Sequence, residues 1–442
     1  MLCGAILPEH WGRFQVYAER VRIVATHPPM KGNIHPSVWF FLASRCKGSP
    51  LVPRLRELEA YGLPISEASP LTVLLSPTLR VLELWFALED EENRLRSSHI
   101  ATSLLQTLPL MVPDLEILNY GADLNLGHGY LQSFRHFTRL NTLSMPPDDA
   151  LNEHMLHILS SITTLRKLSC SIDLSGSSPL ALPKGAFQEL AELTVKGHSD
   201  HLVAFVLACQ FPNLVRITLG ITQPPSATQP QDVFTAVCQR CDSTVLTSFT
   251  ADFGHAFASR PSSLMEYFEP LLAFPNITSF CLIFCLTEPS ISNDDLARVG
   301  AAWPRLASFC VLQLPNQYSR HGVACPTLSG IVELGRRCPR LTTVRIPELD
   351  ASTIPERGTT PALGHGLRSV SIRNIRVVSL LSLDVYMEVA AVLDRVFPSI
   401  DLEDAWSMVD VHGRGKGWDD VLRFMEAMRL GRENGVVYAD FL

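Results

Sequence analysis

An apolar residue followed three and five positions later by two more recurs along nearly the whole 442-residue chain, and no other feature limits the fold as strongly. The copies read Leu79-x-x-Leu82-x-Leu84, Leu115-x-x-Leu118-x-Tyr120, Leu140-x-x-Leu143-x-Met145, Leu165-x-x-Leu168-x-Cys170, Leu190-x-x-Leu193-x-Val195 and Leu214-x-x-Ile217-x-Leu219. From Leu115 the first anchors follow at steps of 25, 25, 25 and 24 residues. Looser copies begin at Leu246, Ile277, Leu306, Leu341 and Leu367, and a worn one, Leu55-x-x-Leu58, precedes the series. Many copies carry a proline two residues before the anchor: Pro53, Pro77, Pro113, Pro212, Pro275, Pro304 and Pro339. Proline there stops a helix and biases the chain toward extension, so each copy predicts a strand entered from a helix end.

Helical spacing fills the intervals. Leu151, Met155, Ile158, Leu159 and Ile162 form one apolar face, as do Val385, Val389, Val392, Leu393 and Val396, and Ser292 to Asp295 supply cap chemistry before Leu296. A strand-helix unit of this length cannot bury its own apolar edge, so neighbours must stack. Parallel strands lie about 4.8 Å apart whereas helices need about 10 Å, and the mismatch bends the stack. The expected fold is an α/β solenoid, a curved horseshoe with parallel strands on its concave face and helices on its convex face. The unit resembles the leucine-rich repeat. A doubly wound α/β enzyme would also alternate strands and helices, but its βα units differ in sequence and its strands read as continuous Val/Ile runs; the near-constant step argues against it.

Hydrophobic residues make up 46% of the chain and charged ones 18%, enough apolar surface for a fold along most of its length. The net charge of -7, with no block of five Lys/Arg residues, argues against nucleic acid as a partner. Apolar stretches such as Phe280 to Leu286 fall far short of the roughly 20 residues that span a bilayer, and Met1 to Trp11 lacks a basic leader region. No membrane association is expected, and the chain reads as cytoplasmic and/or nuclear. Its eleven cysteines are scattered through apolar stretches, as in a reducing compartment, with no disulfide framework. Without a secretion signal the sequon at Asn276 carries no weight.

Catalytic and metal motifs fail on spacing. Cys238 and Cys241 lack a second ligand pair, with His255 standing alone, and Cys281 and Cys285 read as repeat packing. The stretch from Val411 to Gly417 misses the Walker spacing, and as an EF-hand it would place His412 and Arg414 where acids belong and Val421 where the closing glutamate belongs. His128, His198, His255 and His365 have no nucleophile or carboxylate at a motif spacing. The chain reads as a binding protein and not an enzyme, with no catalytic residues, no metal and no cofactor.

Side chains alternate along a strand, so residues between the motif leucines face a partner. The candidates are Glu83, Trp85, Asn119, Lys196, Arg216, Asp252, Arg345 and Arg373, together with Lys167 and Glu192. Trp85 and the arginines stand foremost, because aromatic and Arg side chains are enriched among binding hot spots. The steps lengthen after Leu214, to 32, 31, 29 and 35, which places insertions at Thr222 to Gln231, Thr287 to Ser292, Pro315 to Thr327 and Pro347 to His365. These are either recognition loops or neutral drift.

Three stretches resemble the F-box and leucine-rich-repeat proteins of mushroom-forming fungi. They are the lead-in Trp11-Gly12-Arg13-Phe14 with Tyr17-Ala18 and Arg20-Val21-Arg22, the Pro-x-Leu repeats, and the ending. The ending runs from Phe397-Pro398 to a helix around Trp418, Val421, Leu422 and Met425 that closes in Arg432-Glu433. The expected layout is a lead-in and capping segment over residues 1–45, a solenoid of about twelve repeats over 46–400, and a loop with a capping helix over 401–442. The resemblance implies a protein-interaction module, the substrate-recognition part of an F-box-type ubiquitin ligase receptor, whose partner is an unidentified protein. The F-box itself is missing: Leu7-Pro8-Glu9 is similar to its opening, but the lead-in follows at once. A ligase adaptor is implied only with an F-box encoded upstream, and an interaction scaffold unrelated to ubiquitin stays open.

Overall fold

All twelve repeat anchors, from Leu55 to Leu367, are at most 1% exposed, and a strand follows each of them. The computed structural model describes residues 7–26, 36–63, 69–86, 91–121, 126, 128–175, 180–222, 230–254, 263–285, 290–313, 324–355, 363–377, 383–406 and 417–434. The anchor amide closes a turn onto the end of the preceding segment, as in Leu115 N to Val112 O at 3.2 Å and Leu306 N to Trp303 O at 3.0 Å. The next two amides both donate to one carbonyl of the previous repeat: Arg80 and Val81 to Arg56 O at 2.8 and 3.0 Å, Glu116 and Ile117 to Arg80 O at 2.9 Å. Within each of the two compact units, successive copies are thereby locked to their predecessors before their strands begin. The proline lies two residues ahead of the anchor, where its missing N–H costs no bond.

The chain divides into two compact units. The first runs to Gly197 and includes Ala208–Phe211; its strands are β1 (Ile23–Thr26), β2 (Glu57–Leu63), β3 (Val81–Phe86), β4 (Ile117–Gly121), β5 (Thr142–Ser144), β6 (Ala150–Leu151), β7 (Lys167–Ile172) and β8 (Glu192–Gly197). All pair in parallel in sequence order, except that β5 reaches β7 directly and the two-residue β6 pairs with the far end of β7. The second unit, His198–Leu207 and Pro212 onward, holds β9 (Arg216–Ile221), β10 (Ser248–Phe253), β11 (Ser279–Phe284), β12 (Ser308–Gln313), β13 (Thr343–Asp350) and β14 (Ser369–Arg376), again parallel and sequential. Each unit is a stretch of leucine-rich-repeat solenoid.

Burial alternates strictly along β3, β8, β9, β10 and β11, so the motif residues enter the core and their neighbours face out. On β10, β11 and β12 phenylalanine replaces the second motif leucine, and Phe249, Phe280 and Phe309 stack at 6.0 and 5.9 Å. Phe268 and Trp303 close over Phe280 from the helical side at 4.8 Å each. Three glycines let successive helices approach: a Cβ at Gly330 would stand 2.2 Å from Asn293 Oδ1, and one at Gly335 would stand 2.9 Å from the Phe397 ring. A Cβ at Gly300 would meet Arg337 at 2.9 Å. Asn293 Oδ1 in turn accepts the Thr327 amide at 2.9 Å and ties helix Asn293–Ala302 to helix Leu328–Arg337.

The structure departs from the sequence reading in three places. β1 lies inside the segment expected to be a lead-in and pairs in register with β2 through Ile23↔Glu57. Among the described residues it pairs with β2 alone, and it carries no leucine code. The helix read from Leu151 to Ile162 is shorter, Glu153–Ser160, because Leu151 pairs within β6 and Asn152 accepts the Met155 amide at 3.1 Å as the cap. The insertion placed at Pro347 begins later, since β13 runs on to Asp350. Pairing of β12 with β13 ends at Cys310↔Arg345, so Pro347 loses no ladder bond there. The capping box at Ser292 is formed, with Ser292 Oγ accepting the Asp295 amide at 3.1 Å and Asp295 Oδ2 accepting the Ser292 amide at 2.7 Å.

A candidate protein-binding face

All eight candidate residues occupy outward positions of strands. Glu83, Trp85, Asn119 and Lys196 belong to the first unit; Arg216, Asp252, Arg345 and Arg373 belong to the second.

In the first unit the parallel register brings three of them together. Glu83 pairs with Asn119 and Trp85 with Gly121 across β3 and β4, while β2 places Glu59 beside Glu83 and Tyr61 beside Trp85. Asn119 Nδ2 donates to Glu83 Oε1 at 2.9 Å, and the Tyr61 hydroxyl donates to Glu83 Oε2 at 2.7 Å. Both carboxylate oxygens are therefore oriented by neutral donors. The hydrogen bond to Glu83, with burial and then the charges of Glu83 and Glu59, pushes the Tyr61 hydroxyl up to about 12. The Tyr61 and Trp85 rings lie nearly parallel, 13° apart with centroids at 6.4 Å.

Trp85 stays 48% exposed although its position is fixed. The indole lies on Gly121, where a Cβ would stand 2.4 Å from Trp85 Cε3, closer than real contacts allow. Gly121 thus makes the flat seat that holds a large, half-exposed aromatic ring against the sheet. Further along the same unit, Lys167 Nζ reaches Glu192 Oε1 at 3.0 Å, a solvent-exposed pair of small energetic weight. Lys196 projects beside Ser171.

The second unit holds a different cluster. Arg216 is exposed beside Ser248, and Arg373 donates to Gln313 O at 2.9 Å, across the intervening β13. Cys281, Cys310 and Arg345 are successive outward neighbours by register. The Cys281 thiol donates to Cys310, and Cys310 Sγ lies 3.5 Å from Ser308 Oγ. The bond from Cys281, helped by Ser308 and the Arg345 charge, outweighs burial and holds the Cys310 thiol below its ordinary value. The same bond, with burial, pushes Cys281 up. Cys281 therefore sits on the strand face and not in the repeat core. Asp252 lies close enough for its charge to act on Cys281 and Cys285.

Other motifs take ordinary structural roles. Burial pushes Cys238 and Cys241 up to about 12, and the Cys238 thiol donates to Pro270 O at 3.2 Å. Asn276 of the sequon donates to Thr244 O at 2.8 Å and accepts from Arg305 at 3.0 Å, which links three repeats. His365 contacts Cys338 O at 2.9 Å in the core. His255, residues 411–416 and much of the insertions, at 223–229, 286–289, 314–323 and 356–362, lie outside the described residues. Among the described residues no group of three His, Cys, Asp or Glu side chains is arranged to hold a metal ion, and no helix is long and apolar enough to cross a membrane.

Sequence reading missed Tyr61, Glu59 and Gly121. Tyr61 and Glu59 stand six and four residues after Leu55, as Trp85 and Glu83 do after Leu79, and Gly121 stands six after Leu115. That common offset is the signal that would have found them.

No family model matches the chain, and no curated protein matches it. Among solved structures, a chain of the crystal structure of the Rad7 and Elc1 complex in yeast is similar, with a TM-score of 0.41 and 14% identity over 72% of this chain and 77% of that one.

Proposed function

We propose that this chain is a leucine-rich-repeat protein-binding module that engages its partner through the outward side of its strands, and that it recognises without catalysing. The observation that carries this reading is Trp85. A half-exposed indole seated on a glycine and flanked by a tyrosine and an oriented carboxylate offers a large contact area at little entropic cost. The narrower reading takes the partner to be a substrate and the chain to be the recognition part of an F-box-type ubiquitin ligase receptor. It rests on the resemblance of the lead-in Trp11 to Arg22, the Pro-x-Leu repeats and the closing helix.

Affinity capture of the tagged full chain from its native cells, read by mass spectrometry beside Trp85→Ala, tests both readings. A partner recovered by the native chain and lost with Trp85→Ala supports the binding face. Co-recovery of a ligase adaptor and a cullin, with or without sequence encoded upstream, supports the receptor. A constant partner without them makes the chain a scaffold. Identical capture by chain and variant removes the face from consideration.

A further inference from the structure

We propose that Trp85, Tyr61, Glu83 and Glu59 form a subsite for one basic side chain, an arginine or lysine presented by an extended segment of the partner protein. The proposal rests on the protein-binding reading and specifies its chemistry.

Charge complementarity selects the occupant. The described outward positions of β1 to β5 carry Glu57, Glu59 and Glu83 and neither lysine nor arginine; the first outward lysine is Lys167 on β7. Arg80, at the entrance to β3, is already engaged by Asp114 at 3.3 Å and Glu116 at 3.8 Å. Glu59 and Glu83 stand directly opposite on adjacent parallel strands, so two carboxylates share one place on this face. Each Glu83 oxygen accepts one bond from a neutral donor, and a carboxylate oxygen accepts two, so its charge and half of its acceptor capacity remain for a ligand. The half-exposed ring of Trp85 supplies the second element, since a guanidinium or ammonium group beside an indole face is attracted by the ring quadrupole. An acidic or phosphorylated segment would be repelled here, and a purely apolar one would cover the carboxylates without pairing them.

The test uses the full chain. A displayed random-peptide library is selected against it and, in parallel, against Trp85→Ala and Glu83→Gln, with Glu59→Gln as a further variant should Glu83→Gln unfold. Circular dichroism checks each fold. Peptides recovered by the native chain are expected to share an Arg or Lys at one position. Replacing that residue with norleucine should weaken binding roughly tenfold or more, and Glu83→Gln should abolish the difference between the two peptides. Trp85-dependent peptides that lack a basic residue, or basic peptides indifferent to both glutamate variants, overturn the subsite and leave the protein-binding reading standing. If no Trp85-dependent peptide emerges, the subsite falls; if affinity capture is also empty, the binding reading falls with it.

Discussion

Gly121 decides what the outward face of the first unit presents. Any Cβ there would meet the Trp85 ring at 2.4 Å, so the indole must lift from the sheet. Trp85 is half exposed, so Gly121→Ala is expected to change stability by no more than about 1 kcal/mol while it unseats the ring. In protein carrying fluorinated tryptophan, the resonance lost in Trp85→Phe should move in Gly121→Ala while the others hold. An unmoved resonance would mean that the ring does not rest on Gly121. A second residue-scale expectation concerns Cys310, whose thiol is held low chiefly by the hydrogen bond from Cys281. A lowered value leaves more thiolate at neutral pH, so iodoacetamide at pH 7 should label Cys310 ahead of the thiols that burial pushes up, Cys170 and Cys241 among them. Cys281→Ala removes the donor and should slow that labelling. If the rate is unchanged, the bond does not set the thiol's reactivity.

At the scale of elements, the closing helix Trp418–Glu433 is fastened to helix Leu383–Val396 by a buried charge as well as by Trp418, Val421, Leu422 and Met425. Asp394, only 4% exposed, accepts from Arg429 Nε at 2.9 Å and from Arg432, and Arg429 also donates to Ile400 O at 2.7 Å. Burial alone would raise the Asp394 carboxyl, but the bonds from Arg432 and Arg429 prevail and hold it below its ordinary value. Because the folded value is the lower one, the stabilisation is full above the ordinary carboxyl range and fades as pH falls through the depressed value. Asp394→Asn should cost about 3 kcal/mol at neutral pH, the low end for breaking one side of a buried pair. Denaturant melts should show that difference shrinking toward pH 2; a constant difference would assign it to packing. The closing helix was legible in the sequence only as the end of the resemblance, whereas its partner helix was legible from its apolar spacing and the strands from their anchors, because these are local periodicities. Asp394 and its arginines stand 35 and 38 residues apart, and no local pattern encodes such a pairing. Tyr61 was hidden for a related reason. Ala60 fills the position where the code wants a bulky residue, so the copy looks worn and its outward neighbours escape notice, although Ala60 is 1% exposed.

Across the whole molecule the repeat code makes stability local. Within each unit every full strand bonds only to those before and after it, and the paired amides beyond each anchor reach back one repeat and no further. Such an array behaves as a chain of nearest-neighbour interfaces, so damage at one rung should spread a rung or two and then stop. Leu82 is fully buried on β3, and Leu82→Ala should cost roughly 2–5 kcal/mol by cavity formation. Hydrogen exchange should then rise in β2, β3 and β4, while β11 and β12, held by the Phe249–Phe280–Phe309 stack, keep their protection. Uniform loss across both units would show that the chain unfolds as one cooperative body. Local loss has a consequence for recognition. β2 to β4 carry the seat of Trp85 and the carboxylates around it, so a core substitution beneath them should abolish partner capture while the second unit stays folded. Phe280→Ala on β11 should do the reverse, opening β10 to β12 while the Trp85 face remains intact. Measured side by side, the two variants separate a face lost through its own rung from one lost through the fold at large.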